Sequence, residues 1–243
     1  MQKTPRILII LSRYAQTLFL LLFLSSSVPA SVIFNGDFEQ GYSGFGTEYV
    51  YAPSIQPFPG LNGGEFNIVT NPYPFHFAAV SYGDHTSGSG RMMMVNADRN
   101  DNPDLMVWSQ TVSVVPNSVY NFSAWISTWV VAGDLNISRL SFSINGESIG
   151  KQNAPGVTKV WEQFSASWNA RGNTVANIQI YETGYEVGFL GGGNDFALDD
   201  ISFVATSIAI PEPDSRTMYS IGFSFAGLFL HRRKKQSIKY FRG

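Results

Sequence analysis

The chain has 243 residues, 44% of them hydrophobic and 14% charged, with a formal charge of −2 and no cysteine, which excludes disulfide staples, thiolate metal sites and a thiol nucleophile. The small net charge hides an asymmetry, because residues 31–210 hold sixteen acids against six bases (Arg91, Arg99, Arg139, Lys151, Lys159 and Arg171). So acidic a central region argues against a nucleic-acid partner and against adsorption to anionic lipid.

Residues 1–30 read as a secretory signal peptide. Lys3, Arg6 and Arg13 form its positive region, Leu18 to Leu24 its apolar run, and Val28-Pro29-Ala30 its small-residue cleavage positions. The alternative is an uncleaved signal anchor. A body of this length buries ~70% of its unfolded surface, so residues 31–206 can form one stable domain without staples.

Within that domain the pattern is all-β, with no internal repeat. Period-two alternation bounded by Gly, Pro, Asn and Ser recurs from Ser31 to Ala205, and no stretch carries a helical period. Residues 40–90 are richer in Gly, Pro and Tyr and read as long loops with few strands. In the stretch Tyr120 to Trp129, Tyr120, Phe122, Ala124 and Ile126 share one face, and Asn121, Ser123, Trp125, Ser127 and Trp129 the other. Leu140, Phe142 and Ile144 lead into Asn145-Gly146, a hairpin signal that needs positive φ at both residues. Phe164, Ala166 and Trp168 alternate with Gln163, Ser165 and Ser167, and Ala176, Ile178 and Ile180 alternate with Asn177, Gln179 and Tyr181. Such spacing predicts a single jelly-roll β-sandwich.

Two stretches at the ends of this domain carry a resemblance. Asn35-Gly36-Asp37-Phe38-Glu39 and Asn194-Asp195-Phe196-Ala197-Leu198-Asp199-Asp200-Ile201-Ser202-Phe203 resemble the paired signatures of jelly-roll carbohydrate-binding modules with a galactose-binding-like fold. Trp108 to Val112 and Tyr120 to Trp125 fit the same family. The resemblance covers roughly residues 32–205 and speaks to fold more than to ligand. It implies that first and last strands are neighbours and that their acids hold a structural calcium.

Calcium takes six to eight hard oxygens at ~2.3–2.6 Å. Glu39 with Asp199 or Asp200 supplies the charged part in this reading, and carbonyls near Asn35 to Asp37 the rest. Adjacent strand residues point to opposite faces, yet Leu198 and Ile201 both read as inward, which requires a β-bulge at the Asp pair. The alternative is that these acids cap turns and face solvent. A second acidic cluster, Asp98 to Asp104, lacks the alternate-ligand spacing of an EF-hand and reads as a solvated loop.

For a ligand, Trp125 and Trp129 with Asn121, Asn177, Gln179 and Tyr181 offer aromatic surface for sugar C–H patches beside amides for hydroxyls. The competing reading covers the outer tryptophans with a long loop such as residues 40–75. Catalysis is poorly motivated. Asp84-His85 with Ser81, Ser87 or Ser89 lies in one polar loop, too close in sequence for a triad, and no spacing singles out a carboxylate pair for glycoside hydrolysis.

After a linker at 207–213 containing Pro211-Glu212-Pro213, residues 214–230 form a short apolar segment and residues 231–243 a basic end. Met218 to Leu230 is uncharged, about 20 Å of helix at ~1.5 Å per residue, against a bilayer core of ~30 Å. Arg232 to Lys235 prefer the cytoplasmic side. The order of Pro-Glu-Pro, short membrane segment and basic end resembles the PEP-CTERM sorting signal of exported proteins in exopolysaccharide-producing bacteria. That resemblance implies processing by an exosortase, transient membrane anchoring and delivery to the cell surface or extracellular matrix. The sequence thus leads to a non-catalytic exported sandwich that binds extracellular polysaccharide. The alternatives are a structural or adhesive matrix protein without sugar specificity and, less favoured, a polysaccharide-degrading enzyme.

Overall fold

The computed structural model describes residues 30–55, 60–97, 104–131, 137–186 and 194–207. The chain divides into two units, Met1–Ile208 and Ala209–Gly243, and the described residues belong to the first. Residues 1–29 of the expected signal peptide at 1–30, Pro211-Glu212-Pro213, the expected apolar segment at 214–230 and the basic end lie outside them.

Where apolar and polar residues alternate, the chain is extended and pairs. The strands in chain order are β1 (Val50–Tyr51), β2 (Glu65–Val69), β3 (Met92–Asn96), β4 (Leu105–Ser113), β5 (Val119–Thr128), β6 (Ile137–Ile144), β7 (Glu147–Asn153), β8 (Trp161–Asn169), β9 (Val175–Glu186) and β10 (Phe196–Ser207). They form a six-stranded sheet, β1-β2-β3-β10-β5-β8, and a four-stranded sheet, β4-β9-β6-β7. Passing from β3 to β4, β4 to β5, β5 to β6, β7 to β8, β8 to β9 and β9 to β10, the chain changes sheet each time, which is a jelly-roll winding. The β6–β7 hairpin turns at Asn145 and Gly146 with φ of 53° and 78°, the positive values the dipeptide predicts.

The main core lies between the sheets. Phe122, Ala124 and Ile126 from β5, Leu140, Phe142 and Ile144 from β6, Ile178 and Ile180 from β9, and Leu198, Ile201 and Phe203 from β10 all belong to it. Phe142 and Phe164 stack across the two sheets with centroids 3.9 Å apart and planes 5° apart.

The last strand sits in the middle of the larger sheet. One side of β10 pairs with β5 along most of its length. Its other side pairs with β3 only over Phe196–Leu198. Beyond that the first described segment takes over: Val32 N donates to Phe203 O at 2.9 Å, and Ile201 N donates to Gly36 O at 2.9 Å. The expected proximity of the two ends of the domain is therefore observed. So is the expected bulge: the β10–β5 register shifts between Asp199 and Ser202, and Asp200 has φ 45°.

A second, smaller core lies on the outer side of the six-stranded sheet. Ala52, Leu61, Val69, Ala78, Ala79, Met92, Met94, Trp129, Val130 and Ala197 form it, with Phe75, Tyr82 and Trp161 packed against them. The stretch rich in Gly, Pro and Tyr thus supplies β1 and β2 to the edge of the six-stranded sheet, and other described residues in it, with a short 3-10 turn at Tyr73–Phe75, cover that sheet's outer side. Trp129 is the centre of this smaller core. Its side chain is fully buried and its Nε1 donates to Val95 O at 3.0 Å. Replacing Trp129 by alanine is expected to cost about 3–5 kcal/mol of folding stability. Urea denaturation of the purified protein measures this, and an unchanged midpoint would show the outer layer to be independent of the sheet.

Candidate functional site

Of the six residues read from sequence as a ligand surface, two lie on the six-stranded sheet, one directly follows its strand β5, and three lie on the four-stranded sheet. Asn121 and Trp125 point outward from β5 of the six-stranded sheet, and Trp129 follows that strand directly. Asn177, Gln179 and Tyr181 point outward from β9 of the four-stranded sheet, since Ala176, Ile178 and Ile180 fill the core. The two trios lie on opposite outer faces of the sandwich and do not form one site. Trp129 is excluded from ligand contact by its burial in the outer layer. Trp125 is half-buried, and the His85 ring stacks on it at 3.7 Å with planes 18° apart. Residues such as Ala52, Leu61 and Ala78 pack over Trp129, and His85, outside the expected 40–75 loop, covers Trp125.

The outer face of the four-stranded sheet is open. Tyr181 lies opposite Met106 on one neighbour and Ser141 on the other, and Ser141 in turn lies opposite Lys151. Gln179 lies between Ser109 and Ser143, and Asn177 beside Thr111. Among these outward side chains none is buried. At ~4.8 Å between neighbouring strands, the row Met106–Tyr181–Ser141–Lys151 spans about 14 Å. The free edge of β4 is extended by the segment at 46–48: Gly46 N and Ser109 N exchange bonds with each other's carbonyls, and Glu48 Oε2 accepts from Met106 N at 2.7 Å. The result is a shallow polar strip with one half-exposed phenol ring and amides and hydroxyls on both sides. That chemistry suits a flat, hydroxyl-rich polymer better than an apolar ligand.

A second feature is an acidic hollow of about 420 Å³ beside the bulge, lined by Asp37, Glu39, Asp84, Thr86, Ser87, Ser89, Gly90 and Asp200. Because the bulge adds a residue, Asp199 and Asp200 both leave β10 toward the 84–90 loop. Asp199 is fully buried and accepts from His85 N and from its neighbour Asp200 N, each at 2.8 Å. Asp200 accepts from His85 Nδ1 at 2.7 Å and from Thr86 Oγ1. Asp84 accepts from Ser87 N at 2.9 Å and Gly90 N at 2.7 Å. Glu39 Oε1 accepts from Arg91 N at 2.6 Å. A Cβ built on Gly90 would lie 2.2 Å from Glu39 Oε1 and 3.0 Å from Asp84 Oδ2, so these two carboxylates converge on a point that only glycine leaves free.

Burial decides the protonation of Asp199. Desolvation outweighs its two amide donors, the nearby Asp200 and Asp84 charges add to it, and its pKa is pushed up from 3.8 to about 8. For Asp84 burial also pulls upward, but the donors from Ser87, Gly90 and Ser89 together outweigh it and hold the carboxyl below the usual range. Burial likewise raises the phenol of Tyr82, next to Ser127 and Asp199.

Of the residues assigned to calcium from sequence, Glu39 and Asp200 line the hollow. Asp199 does not: its oxygens face backbone amides. Asp84 is the carboxylate that sequence reasoning missed as a partner of Glu39. The available signal was Asp84 followed by Ser87, the pattern of a side chain folding back on its own loop. The sequence-adjacent Asp84 and His85 form no acid–base pair, since His85 bonds Asp200 and Ser87 Oγ bonds Asp84 at 3.0 Å. Among the described residues no three acidic or histidine side chains form a ready-made metal cluster.

No protein-family model matches the sequence, and no curated protein does. Solved structures of similar shape include carbohydrate-binding modules. The module TmCBM61, in complex with β-1,4-galactotriose, is 13% identical, over 72% of this chain and 98% of that one, with a TM-score of 0.44. The CBM22-1 xylan-binding domain of Paenibacillus barcinonensis Xyn10C is 12% identical, over 76% and 100%, with a TM-score of 0.43. A Stig cyclase from Fischerella sp. TAU is 14% identical, over 75% and 100%, with a TM-score of 0.49. Sugar binders and cyclases thus appear together, and the sandwich itself rests on the sheet order described above.

The Asp199 carboxyl generates a pH prediction. Between its unfolded value of 3.8 and its folded value of about 8, the unfolded chain is ionised while the folded chain keeps the proton. Stability is therefore present in full below the unfolded value and falls as pH rises toward the folded one. With chelator present, the denaturation midpoint of the protein is expected to drop from pH 5 to pH 8, and Asp199→Asn to flatten that slope. Equal slopes in both proteins would assign the pH dependence to other groups.

Proposed function

We propose that this protein is an exported, non-catalytic β-sandwich that binds extracellular polysaccharide across the outer face of its four-stranded sheet. The observation that carries this reading is the open strip centred on Tyr181, with Gln179 and Asn177 along β9 and serines opposite them on β6. Sugar rings offer C–H faces to a phenol and hydroxyls to amides, and a strip about 14 Å long at strand spacing accommodates roughly three residues of a polymer. The opposite outer face is closed by the layer around Trp129 and by His85 on Trp125.

The route to the ligand belongs to the same proposal. The signal peptide exports the chain, and the segment around Pro211-Glu212-Pro213 is the substrate of an exosortase-type enzyme. The apolar segment holds the protein in the membrane until processing, after which it is delivered to the cell surface or extracellular matrix.

Calcium is the third part. The hollow has an acidic lining, and Glu39 and Asp84 converge beside a residue whose missing Cβ leaves room. These two carboxylates would hold the ion, with backbone carbonyls of the 84–90 loop and water filling the remaining positions. Bound there, calcium would neutralise the acids and tie the first segment to that loop; its role is structural, not chemical.

Two measurements check this reading. Affinity electrophoresis in gels containing polysaccharide from the native matrix is expected to show retardation that Tyr181→Ala reduces by about tenfold, the loss of an aromatic stack with its hydrogen bonds. Retardation unchanged in a folded Tyr181→Ala protein would remove this face as the site. Thermal melts with excess chelator and with added calcium are expected to differ by several degrees in wild type and not in Glu39→Gln/Asp84→Asn; identical wild-type melts would sink the calcium assignment.

A further inference from the structure

We infer that Asn62-Gly63 is a site of spontaneous covalent modification. The chain deamidates there through a succinimide, ahead of its other Asn-Gly pairs, and the product loosens the β1–β2 edge of the six-stranded sheet. This inference is independent of any ligand.

The reaction needs two groups of one dipeptide to meet. The main-chain nitrogen after an asparagine attacks the side-chain Cγ, closing a ring through a new N–Cγ bond. The bond from Cγ to the amide nitrogen breaks, and ammonia leaves with the proton that the attacking nitrogen gives up. Water then opens the ring at either carbonyl, giving an aspartyl residue or an isoaspartyl residue whose main chain runs through the former side chain. Glycine in second place favours this, because it has no Cβ to block the approach and its backbone is the freest to turn. The sequence holds three such dipeptides, Asn35-Gly36, Asn62-Gly63 and Asn145-Gly146, all among the described residues. As dipeptides they are equivalent, and the fold separates them.

Asn35 is buried, and its amide makes three bonds. Its Nδ2 donates to Gly41 O and Ser43 O, and its Oδ1 accepts from Gln40 N, each at 2.9 Å. Gly36 is pressed against β10, where its carbonyl accepts from Ile201 N. Asn145 is exposed, but its Nδ2 donates to Val175 O at 3.0 Å and its Oδ1 accepts from Asn177 N at 2.8 Å. Both bonds hold the amide against the start of β9, and both must open before Cγ can reach Gly146 N.

Asn62 is held far less. It and Gly63 are exposed, and its amide has one bond among the described residues, from Nδ2 to Glu65 Oε2 at 3.2 Å. Asn62 O accepts from Glu65 N at 3.1 Å, so Gly63 takes the second position of a tight turn, with Gly64 at φ 80° in the third. Gly63 N lies outside that closing bond and donates to no other described backbone carbonyl. Nucleophile and electrophile therefore both stand at the surface.

The same turn joins three strands. Gly64 O accepts from Val50 N and Gly64 N donates to Asn96 O, each at 2.9 Å, while Asn96 Nδ2 donates to Leu61 O at 2.6 Å. Strand β1 pairs with β2 only through Val50 with Glu65 and Tyr51 with Phe66. An aspartyl product sets a carboxylate beside Glu65 Oε2, where an amide had donated, and like charges repel there. An isoaspartyl product also lengthens the main chain just before Gly64, so the bonds of Gly64 to Val50 and Asn96 lose their register.

The test ages the full chain in mildly alkaline buffer, folded and in urea, and follows each dipeptide by peptide mass spectrometry with isoaspartyl methyltransferase labelling. In the folded protein, modification at position 62 is expected to run about tenfold or more ahead of positions 35 and 145, since each bond that must first open slows the step a few-fold. In urea the three rates should converge. Gly63→Ala should suppress modification at position 62 and leave the circular dichroism unchanged. Hydrogen exchange at Val50 and Ala52 should be faster in aged than in fresh protein, and unaltered by the same ageing in Gly63→Ala. A rate at position 62 no greater than that at 145 in the folded protein, or the same ratio persisting in urea, would overturn the assignment of the site. Modification at position 62 with unchanged exchange at Val50 and Ala52 would overturn the loosening of the edge.

Discussion

The structure depends on how β10 changes partner. Over Phe196–Leu198 it pairs with β3, and from Ile201 onward it bonds the first segment of the domain, with β5 on its other side throughout. The change requires an extra residue, supplied at Asp200 with φ 45°. That residue lets Leu198 and Ile201, three apart, both enter the core, and it sends Asp199 and Asp200 out together. The first segment approaches so closely that a Cβ on Gly36 would lie 2.0 Å from Ile201 O, which explains glycine there. Burying Asp199 is expensive, and the structure offsets the cost with two amide donors and a retained proton.

From this constraint the asymmetry of the two faces follows. Between the first segment and β3 the chain adds β1 and β2 to the edge of the six-stranded sheet and lays residues around Leu61 and Ala78–Ala79 over its outer side, a packed layer with its own core. That closes the face carrying Trp125 and Trp129. The four-stranded sheet has no such layer among the described residues, so the polar side of its alternation remains at the surface. The face proposed for a ligand is the one left uncovered, since the sandwich as a fold is compatible with binding and with catalysis alike.

The legible strands are those with one buried and one exposed face. In β5, β6, β8 and β9 the period of two is visible in the residues, and the Asn145-Gly146 turn marks the hairpin. Strand β3, reading Met92-Met93-Met94-Val95, shows no alternation because both of its faces are covered, one by each core. Strand β1 is two residues long and parallel to its neighbour, too little for any pattern. By letter alone Trp129 alternates with Trp125, but the strand ends at Thr128 and the tryptophan turns into the outer layer.

The meeting of the domain's two ends is what the family resemblance implies; by itself the sequence determined an acidic, cysteine-free, all-β domain and required a bulge at the aspartate pair. These follow from local alternation, turn chemistry and the placement of Leu198 and Ile201. Only the tertiary structure decided that Asn177, Gln179 and Tyr181 belong to a different sheet from Trp125. It alone brought Asp84 to Glu39. The physical reason is that alternation reports which residues of one strand share a side, whereas strand pairing and loop packing between residues distant in sequence decide what that side meets.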